Sequence, residues 1–225
     1  LRSEPTILAF DTSAAHCAAA LLCGGQVHGA LTEPMKRGQA EALMPMLEDV
    51  LAGAARDWRD LDAIAVGTGP GNFTGIRISV SAARGLALAL SIPAIGVSLF
   101  EVMANGDARE HLLVSLPAPR DMAHVQPFRR GRPSGKARLI DPSAPPADLG
   151  NGSETCVIGH LASEIGRHLG APPLPGKLDD IASRIARIAE RRLVVDGETP
   201  DRPAPFYVRP ADAAPPADPP PVILP

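Results

Sequence analysis

Apolar and polar positions fall into short blocks along the first hundred residues. Thr6 to Asp11 (TILAFD), Cys17 to Leu22 (CAAALL) and Gln26 to Leu31 have strand length, and Gly24-Gly25 separates the last two as a hairpin turn. That predicts three successive strands in a meander. From Gln39 to Leu51 the period lengthens: Ala40, Leu43, Met44, Leu47, Val50, Leu51 and Ala54 recur at helical spacing, opposite Glu41, Glu48 and Asp49. Pro45 sits inside that pattern, so the helix either starts near Glu41 or kinks at the proline. Ala63 to Val66 predicts a buried strand, Thr74 to Leu90 a helix capped by Thr74, and Ala94 to Val97 another strand ahead of a short helix from Phe100 to Ala104.

Beyond residue 104 the pattern is more broken. Strands are expected over Leu112–Leu116, Ala123–Phe128 and Lys136–Ile140, with a basic turn at Arg129–Gly135 and a Pro-rich loop at Asp141–Gly152. Leu161–Leu169 and Leu178–Leu193 read as helices. The alternation of strand and helix thus runs twice, giving a first lobe at 1–104 and a smaller second lobe at 105–195. Residues 196–225 hold ten prolines in thirty and are expected to be extended.

The helix from Thr74 to Leu90 is apolar nearly all round. Arg77, Ser81 and Arg84 make its polar stripe, Gly75, Ser79, Ala82, Leu86 and Ala89 a small or apolar one, and Ile76, Val80, Ala83, Ala87 and Leu90 a second apolar one. One stripe covers a sheet. The other must be buried too, inside the same fold or by a partner.

The chemistry concentrates in the loop before it. In Gly67–Ser79 (GTGPGNFTGIRIS), Gly67, Gly69 and Gly71 open backbone conformations closed to other residues and allow a turn whose amides face an anion. It is not a P-loop, because Ile76 and Arg77 follow Gly75 where Lys-Ser/Thr is required, nor a dinucleotide fingerprint, because Thr74 stands where glycine is needed. Asp11-Thr12-Ser13 at the first strand end reads as an ordinary turn with side-chain oxygens on local amides.

Composition narrows the classes. The chain has 225 residues, 45% hydrophobic, and a formal net charge of −3, enough for one sizeable core or two small ones and without the basic excess to bind RNA alone. Cys17, Cys23 and Cys156 form no Cys-x-x-Cys pair, and His16, His28, His111, His124, His160 and His168 form no His-Glu-x-x-His or i, i+4 pair, so no metal site is expected. No apolar run approaches the ~20 residues of a membrane span, and no charged segment followed by an apolar one opens the chain, which points to the cytoplasm and away from a membrane.

As a string, the glycine loop resembles the GPGSFTGLRIG hallmark of the bacterial TsaB (YeaZ) family, with Asn72 in the usual serine place. TILAFDTS at 6–13, the helix at 39–51 and DLDAIAVGT at 60–68 are similar to that family's opening elements, and TCVIG at 155–159 and APFYVRPAD at 204–212 to its late ones. The resemblance implies an α/β, two-lobed actin-like, sugar-kinase-like ATPase (ribonuclease-H-like) fold, in whose catalytic members the first strand end and the turn after it hold nucleotide, so that Asp11, Thr12 and Ser13 with Gly69, Gly71 and Thr74 stand where a weak nucleotide contact is expected. It implies a non-catalytic scaffold in tRNA threonylcarbamoyladenosine synthesis that pairs with a TsaD-like catalytic subunit through its first two helices, by way of Met44, Leu47, Leu51, Gly75, Ser79, Ala82, Ala83 and Leu86. The same faces would cover each other in a homodimer when the chain is alone. ATP would be handled by the partner subunits, among them a TsaE-like ATPase, so no cofactor of its own is expected, and tRNA would be met only through the complex.

The catalytic paralogue TsaD holds its metal with a His-x-x-x-His pair on the first helix, where this chain reads RGQAEALMP without histidine. Gln39 stands where many relatives carry histidine. Pro117–Arg120 (PAPR) stands where relatives commonly show Asp-Ala-Arg before a Tyr-bearing strand. The rival readings are a small actin-like-fold ATPase or kinase using Asp11 and the Gly69–Thr74 loop, and a peptidase-like relic that only binds an unrelated partner.

Overall fold

Thr6–Asp11 (β1) is buried at every position, and so are the inner six residues of His16–Cys23 (β2). Strands dry on both faces belong in the middle of a sheet covered on both sides. Gln26–Pro34 (β3) is mostly exposed and lies at the edge. With Ala63–Gly67 (β4) and Ala94–Val97 (β5) these strands form one sheet in the order β3-β2-β1-β4-β5, the first two pairings antiparallel and the last two parallel. Phe10 lies opposite Val66, so β1 and β4 end side by side and their following loops meet. The computed structural model describes residues 4–150, 152–194 and 201–208.

Two helices cover one face. Gln39–Gly53 (α1) and Phe73–Leu90 (α2) bury Leu43, Leu47, Val50, Leu51, Ala83 and Ala87 against Leu8, Phe10, Leu21, Ile64 and Val66. The first helix starts at Gln39, two residues before Glu41, after Gly38 in the left-handed region, and carries Pro45 on its exposed side. By length and composition α2 is apolar enough to cross a membrane, with a mean hydropathy of 1.2 over 18 residues. Much of that apolarity is used on the sheet, where Ile76, Val80, Ala83 and Ala87 are buried.

Leu99–Ala104 (α3) opens with a capping box between Ser98 and Glu101 and leads to the second sheet. Its strands are Leu112–Pro117 (β6), Ala123–Arg129 (β7), Arg132–Pro133 (β8), Arg138–Ile140 (β9), Cys156–Gly159 (β10) and Pro173–Leu174 (β11). The order is β11-β10-β6-β7-β8, with β9 also on β7, so the second sheet repeats the first with β8 and β9 sharing the third place. Ala162–Leu169 (α4) covers its outer face, packing Ala162 and Ile165 on Leu113, Val125 and Val157.

The division at residue 104 needs one correction. Ile181–Val194 (α5), placed by sequence in the second lobe, packs on β1, β2 and β4, where Ile181, Ile185 and Ile188 share a cluster with Ile7, Ala9, Ala18 and Ala20. The reason is that α1 and α2 occupy only one face of the first sheet, and the other, equally apolar, needs a cover. That cluster also takes in Leu112, Val114, Phe128 and Ile158, so α3 and α5 lie as a layer between the two sheets.

Residues 201–208 run along the first lobe. The Phe206 amide donates to the Thr68 carbonyl at 2.8 Å, the Phe206 ring meets Phe100 edge-on, and Tyr207 stacks on Phe73. The expectation of an extended chain at 196–200 and beyond 208, with Arg209-Pro210 of the Tyr-x-Arg-Pro motif, lies outside the described residues.

Candidate functional site

The site is where the loops after β1 and β4 meet. Asp11 ends β1, and its Oδ1 accepts from the Ser13 amide at 3.0 Å and the Ser13 hydroxyl at 2.8 Å, with His16 Nε2 at 2.8 Å. The Thr12 hydroxyl donates to the Gly75 carbonyl at 2.7 Å, and the Asn72 amide to the Ser13 carbonyl at 2.6 Å. Asp11, Thr12 and Ser13 have no solvent-accessible surface. Asp11 Oδ2 is buried without a hydrogen-bond partner.

Glycine makes this approach possible. A Cβ at Gly67 would overlap the Asp11 carboxylate, one at Gly71 the Ser13 carbonyl, and one at Gly75 the Thr12 carbonyl. None of these three has a positive φ, so space rather than conformation demands them; Gly69, at φ +92°, is the position that needs the left-handed region. The loop is therefore a lid of backbone on the Asp11–Ser13 turn.

The cap of α2 corrects the expectation of Thr74. Asn72, extended at φ −61° and ψ 121°, accepts from the Thr74 amide at 2.9 Å and the Gly75 amide at 3.2 Å, and the helix starts at Phe73. A short amide side chain just outside the helix reaches the second and third helical amides, which a residue within the first turn cannot do. The amides of Asn72, Thr74 and Gly75 are thus all engaged within the chain, and the turn does not present them to an anion. The structure brings Asp11, Thr12 and Ser13 against the Gly71–Gly75 segment, while the Thr74 amide is held by Asn72 and the Gly69 carbonyl accepts from the Leu99 amide.

His16 was missed by spacing arguments. It begins β2 beside the end of β1, and antiparallel pairing swings its ring onto Asp11. A histidine five residues after a strand-ending Asp across a tight turn was the available signal. Cys17, next to it, is buried, and its thiol is pushed up to about 11, first by burial and then by the nearby Glu33 and Asp11 carboxylates. Gln39 is buried and donates to the Met35 carbonyl at 3.2 Å, a structural use of the residue that replaces histidine. Among the described residues no group of three His, Cys, Asp or Glu side chains is placed to hold a metal ion.

The expected partner surface is largely internal. Leu47, Leu51, Gly75, Ser79 and Ala83 are buried within this chain, while Met44 is 38% exposed and Ala82 and Leu86 are half-buried. Ser79 lies over β4, and its hydroxyl donates to the Ile76 carbonyl at 3.2 Å with the Gly67 carbonyl at 3.4 Å. The Gly75–Ser79 stripe is small because the chain's own turn passes beneath it. Leu88, 79% exposed, and Gly85, with open space around its Cα, form the accessible face of α2 that the stripe reading passed over.

A cleft of about 590 Å³ opens between the sheets, lined by Thr68, Ser98, Glu101, Gln126, Arg192 and Phe206 among others. Glu101 pairs with Arg192, which also donates to the Gly96 carbonyl at 2.6 Å. At the head of α2, Arg77 stacks 3.8 Å over the Phe73 ring and donates to the Tyr207 hydroxyl at 3.0 Å. Arg120, the basic residue of the PAPR stretch, is exposed at the tip of the β6–β7 hairpin with φ +61°.

The chain is similar to several known proteins. The family profile of TsaD, tRNA N6-adenosine threonylcarbamoyltransferase, matches residues 26–118. The tRNA threonylcarbamoyladenosine biosynthesis protein TsaB of Escherichia coli (strain K12) is 41% identical over 105 residues, which are 47% of this chain and 45% of that protein. The chain spans about half the length of the curated relatives it matches. A crystal structure from Pseudomonas aeruginosa, described as an uncharacterized protein with similarity to peptidase YEAZ, is 27% identical with a TM-score of 0.70, covering 91% of this chain and 100% of that one. Component A of (R)-2-hydroxyglutaryl-CoA dehydratase from Acidaminococcus fermentans, at 9% identity and TM-score 0.52 over 84% of this chain and 98% of that one, shares the fold alone. Together with the doubled strand order, these likenesses make the architecture an actin-like α/β fold.

Proposed function

We infer, since the chain belongs to the TsaB (YeaZ) family, that it acts as a non-catalytic scaffold subunit of tRNA threonylcarbamoyladenosine synthesis. In this reading it pairs with a TsaD-like catalytic subunit, and a TsaE-like ATPase joins the assembly and handles ATP. Threonylcarbamoyl then passes to the adenosine beside the anticodon. The tRNA is met in the complex, in the cytoplasm, and the chain forms a homodimer when its partners are absent.

The observation that carries this reading is the closed Asp11–Ser13 turn. A phosphate site needs donors aimed outward, and here the Asn72, Thr74 and Gly75 amides and the Thr12 and Ser13 hydroxyls are bonded inside the chain. With Leu47, Leu51, Gly75, Ser79 and Ala83 committed to the interior, the partner face falls on Met44, Ala82, Leu86 and the more exposed Gly85 and Leu88. An apolar side chain beside an open glycine admits a second helix at short range.

Leu88→Arg tests it. The expected outcome is an unchanged melting temperature, a shift to monomer on size exclusion, and loss of both TsaD binding and tRNA modification in a reconstituted reaction. Undiminished pairing and modification would place the interface elsewhere and sink the assignment of this face. The ATPase or kinase reading has one observation in its favour, the unpartnered Asp11 Oδ2. Micromolar binding of magnesium-ATP with turnover by the purified chain, measured by calorimetry and phosphate release, would overturn the scaffold reading.

A further inference from the structure

The first two helices carry opposite signs. α1 has Glu41, Glu48 and Asp49 without a Lys or Arg, whereas from Ala63 to Phe100 the chain has Arg77 and Arg84 and no Asp or Glu. Arg77, Ser81, Arg84 and Leu88 fall on one exposed stripe of α2, with the two arginines about two turns, or about 10 Å, apart along the axis. Arg77 is held by the Phe73 ring and the Tyr207 hydroxyl, which leave its charge uncompensated. At the far end of the stripe a groove of about 590 Å³ opens between the last turns of α2, the start of β5 and the segment 201–208. Arg84 and Arg202 stand in its walls, and Leu88, Ile92, Ala94 and Pro203 supply the apolar lining. Among the described residues Leu88 is the most exposed large apolar side chain. Pro203 is seated on β5, since a Cβ at Gly96 would lie 3.2 Å from the proline Cβ, and this holds Arg202 at the rim. Neither Arg84 nor Arg202 forms an ion pair among the described residues, and Asp201 lines the cleft between the sheets instead.

Unpaired cations around an apolar floor fit a protein segment that carries carboxylates on either side of an apolar side chain. A nucleic-acid backbone would leave Leu88 and Ile92 uncovered, and among the described residues no aromatic ring lines the groove for a base to stack on. A second copy related by a two-fold axis through the α1–α2 seam would cover Met44, Ala82 and Leu86, which lie toward α1, whereas this groove is on the other flank of α2. We propose that the groove between Arg84 and Arg202 receives an acidic segment of the catalytic partner, with Asp or Glu side chains on the two guanidiniums and an apolar side chain on Leu88 and Ile92. The proposal rests on the reading above that the chain pairs with a TsaD-like subunit, and it adds the sign of the surface that the partner presents to α2. The acidic α1 repels the same segment, so charge decides which helix it follows.

The test follows binding of the full chain to the catalytic subunit by surface plasmon resonance across a potassium chloride series. Arg84 and Arg202 are both exposed, so the double variant R84E/R202E is expected to melt like the parent. Its association with the catalytic subunit should be on the order of tenfold slower at low salt, with the difference fading as salt rises. Arg167→Glu, on α4 of the second sheet, should change neither. Carbodiimide coupling then identifies the occupant: in the complex formed by R84K, the introduced amine is expected to join an Asp or Glu of the catalytic subunit, read by mass spectrometry of the cross-linked peptide. Equal rates and salt dependence for R84E/R202E and parent, in a complex that modifies tRNA, would overturn the groove and leave the family reading intact. Coupling to Glu41 or Glu48 of a second copy would make the occupant another molecule of this chain and overturn the assignment. Unchanged subunit pairing with weaker tRNA binding by the assembled R84E/R202E complex would make this an RNA contact and overturn it equally. A parent chain that does not bind the catalytic subunit at all would overturn both readings.

Discussion

The two sheets share one strand order and differ in how their strand ends are closed. In the first, the turn after β1 and the loop after β4 are pressed together until the glycines at 67, 71 and 75 touch carbonyl and carboxylate oxygens, and an 18-residue helix follows. In the second, the corresponding strands are β6 and β10. Gly159, at φ +103°, keeps one such approach, against the Ser115 carbonyl, and the helix behind it has 8 residues. The β6–β7 hairpin ends instead in an exposed tip where Arg120 and Asp121 are both left-handed. A closed pair of strand ends supports a long helix over a dry sheet. An open one leaves short strands held by hairpins, and room for charged turns.

The largest test of that contrast is Ser79→Arg. In the first lobe it drives a guanidinium into the contact between α2 and β4, and the expected cost is more than about 4 kcal/mol, read as loss of a cooperative melt. A folded, merely monomeric variant would show that α2 lifts off the sheet. Next comes a pair on one helix. Gly75→Ala should destabilise by about 3 kcal/mol by forcing a methyl onto the Thr12 carbonyl, whereas Gly85→Ala, facing open space, should stabilise by about 0.5–1 kcal/mol in urea titrations. Equal effects would mean that the lid is not tight.

Helix starts give the third test. Asn72→Ala should cost about 1 kcal/mol, because two amides lose their acceptor. α4 is preceded by Leu161 as its capping residue, left-handed at φ 51° and without a side-chain cap, so Leu161→Gly should gain ~0.5 kcal/mol by relieving the backbone. A loss at 161 would show that the half-exposed leucine packs more than it strains.

The smallest effect compares thiols. Iodoacetamide at pH 8 should label the partly exposed Cys156 of the second sheet and leave Cys17 until urea unfolds the chain. The fold favours the neutral Cys17 thiol, whose value is raised from 9.0 to about 11. Its contribution to stability is present below pH 9 and is lost as pH rises through about 11, which a Cys17→Ala comparison across that window will show.

Much of the framework was legible because it is local. Alternation and glycine pairs located β1 and β5 to the residue and α2 to within one. The site was legible as a place and not as a state. A stripe of Gly75 and Ser79 reads the same whether a partner helix or the chain's own Thr12 backbone lies against it, since both demand small side chains. The assignment of α5 failed for a related reason: its period says that one face is buried, and not which sheet, 170 residues earlier in the chain, buries it. β11, two residues long, carries no periodicity at all.

The position of α5 has a consequence for the order in which the molecule is made. A nascent chain that has emerged only as far as α3 holds all five strands of the first sheet, yet the face bearing Ile7, Ala9, Ala18 and Ala20 still lacks its principal cover. That cover arrives with Ile181–Val194, after the whole second sheet has been synthesised. The first half of the polypeptide is thus the last to be finished, and a ribosome paused between the lobes displays a sticky, half-dressed sheet that chaperones are suited to shield.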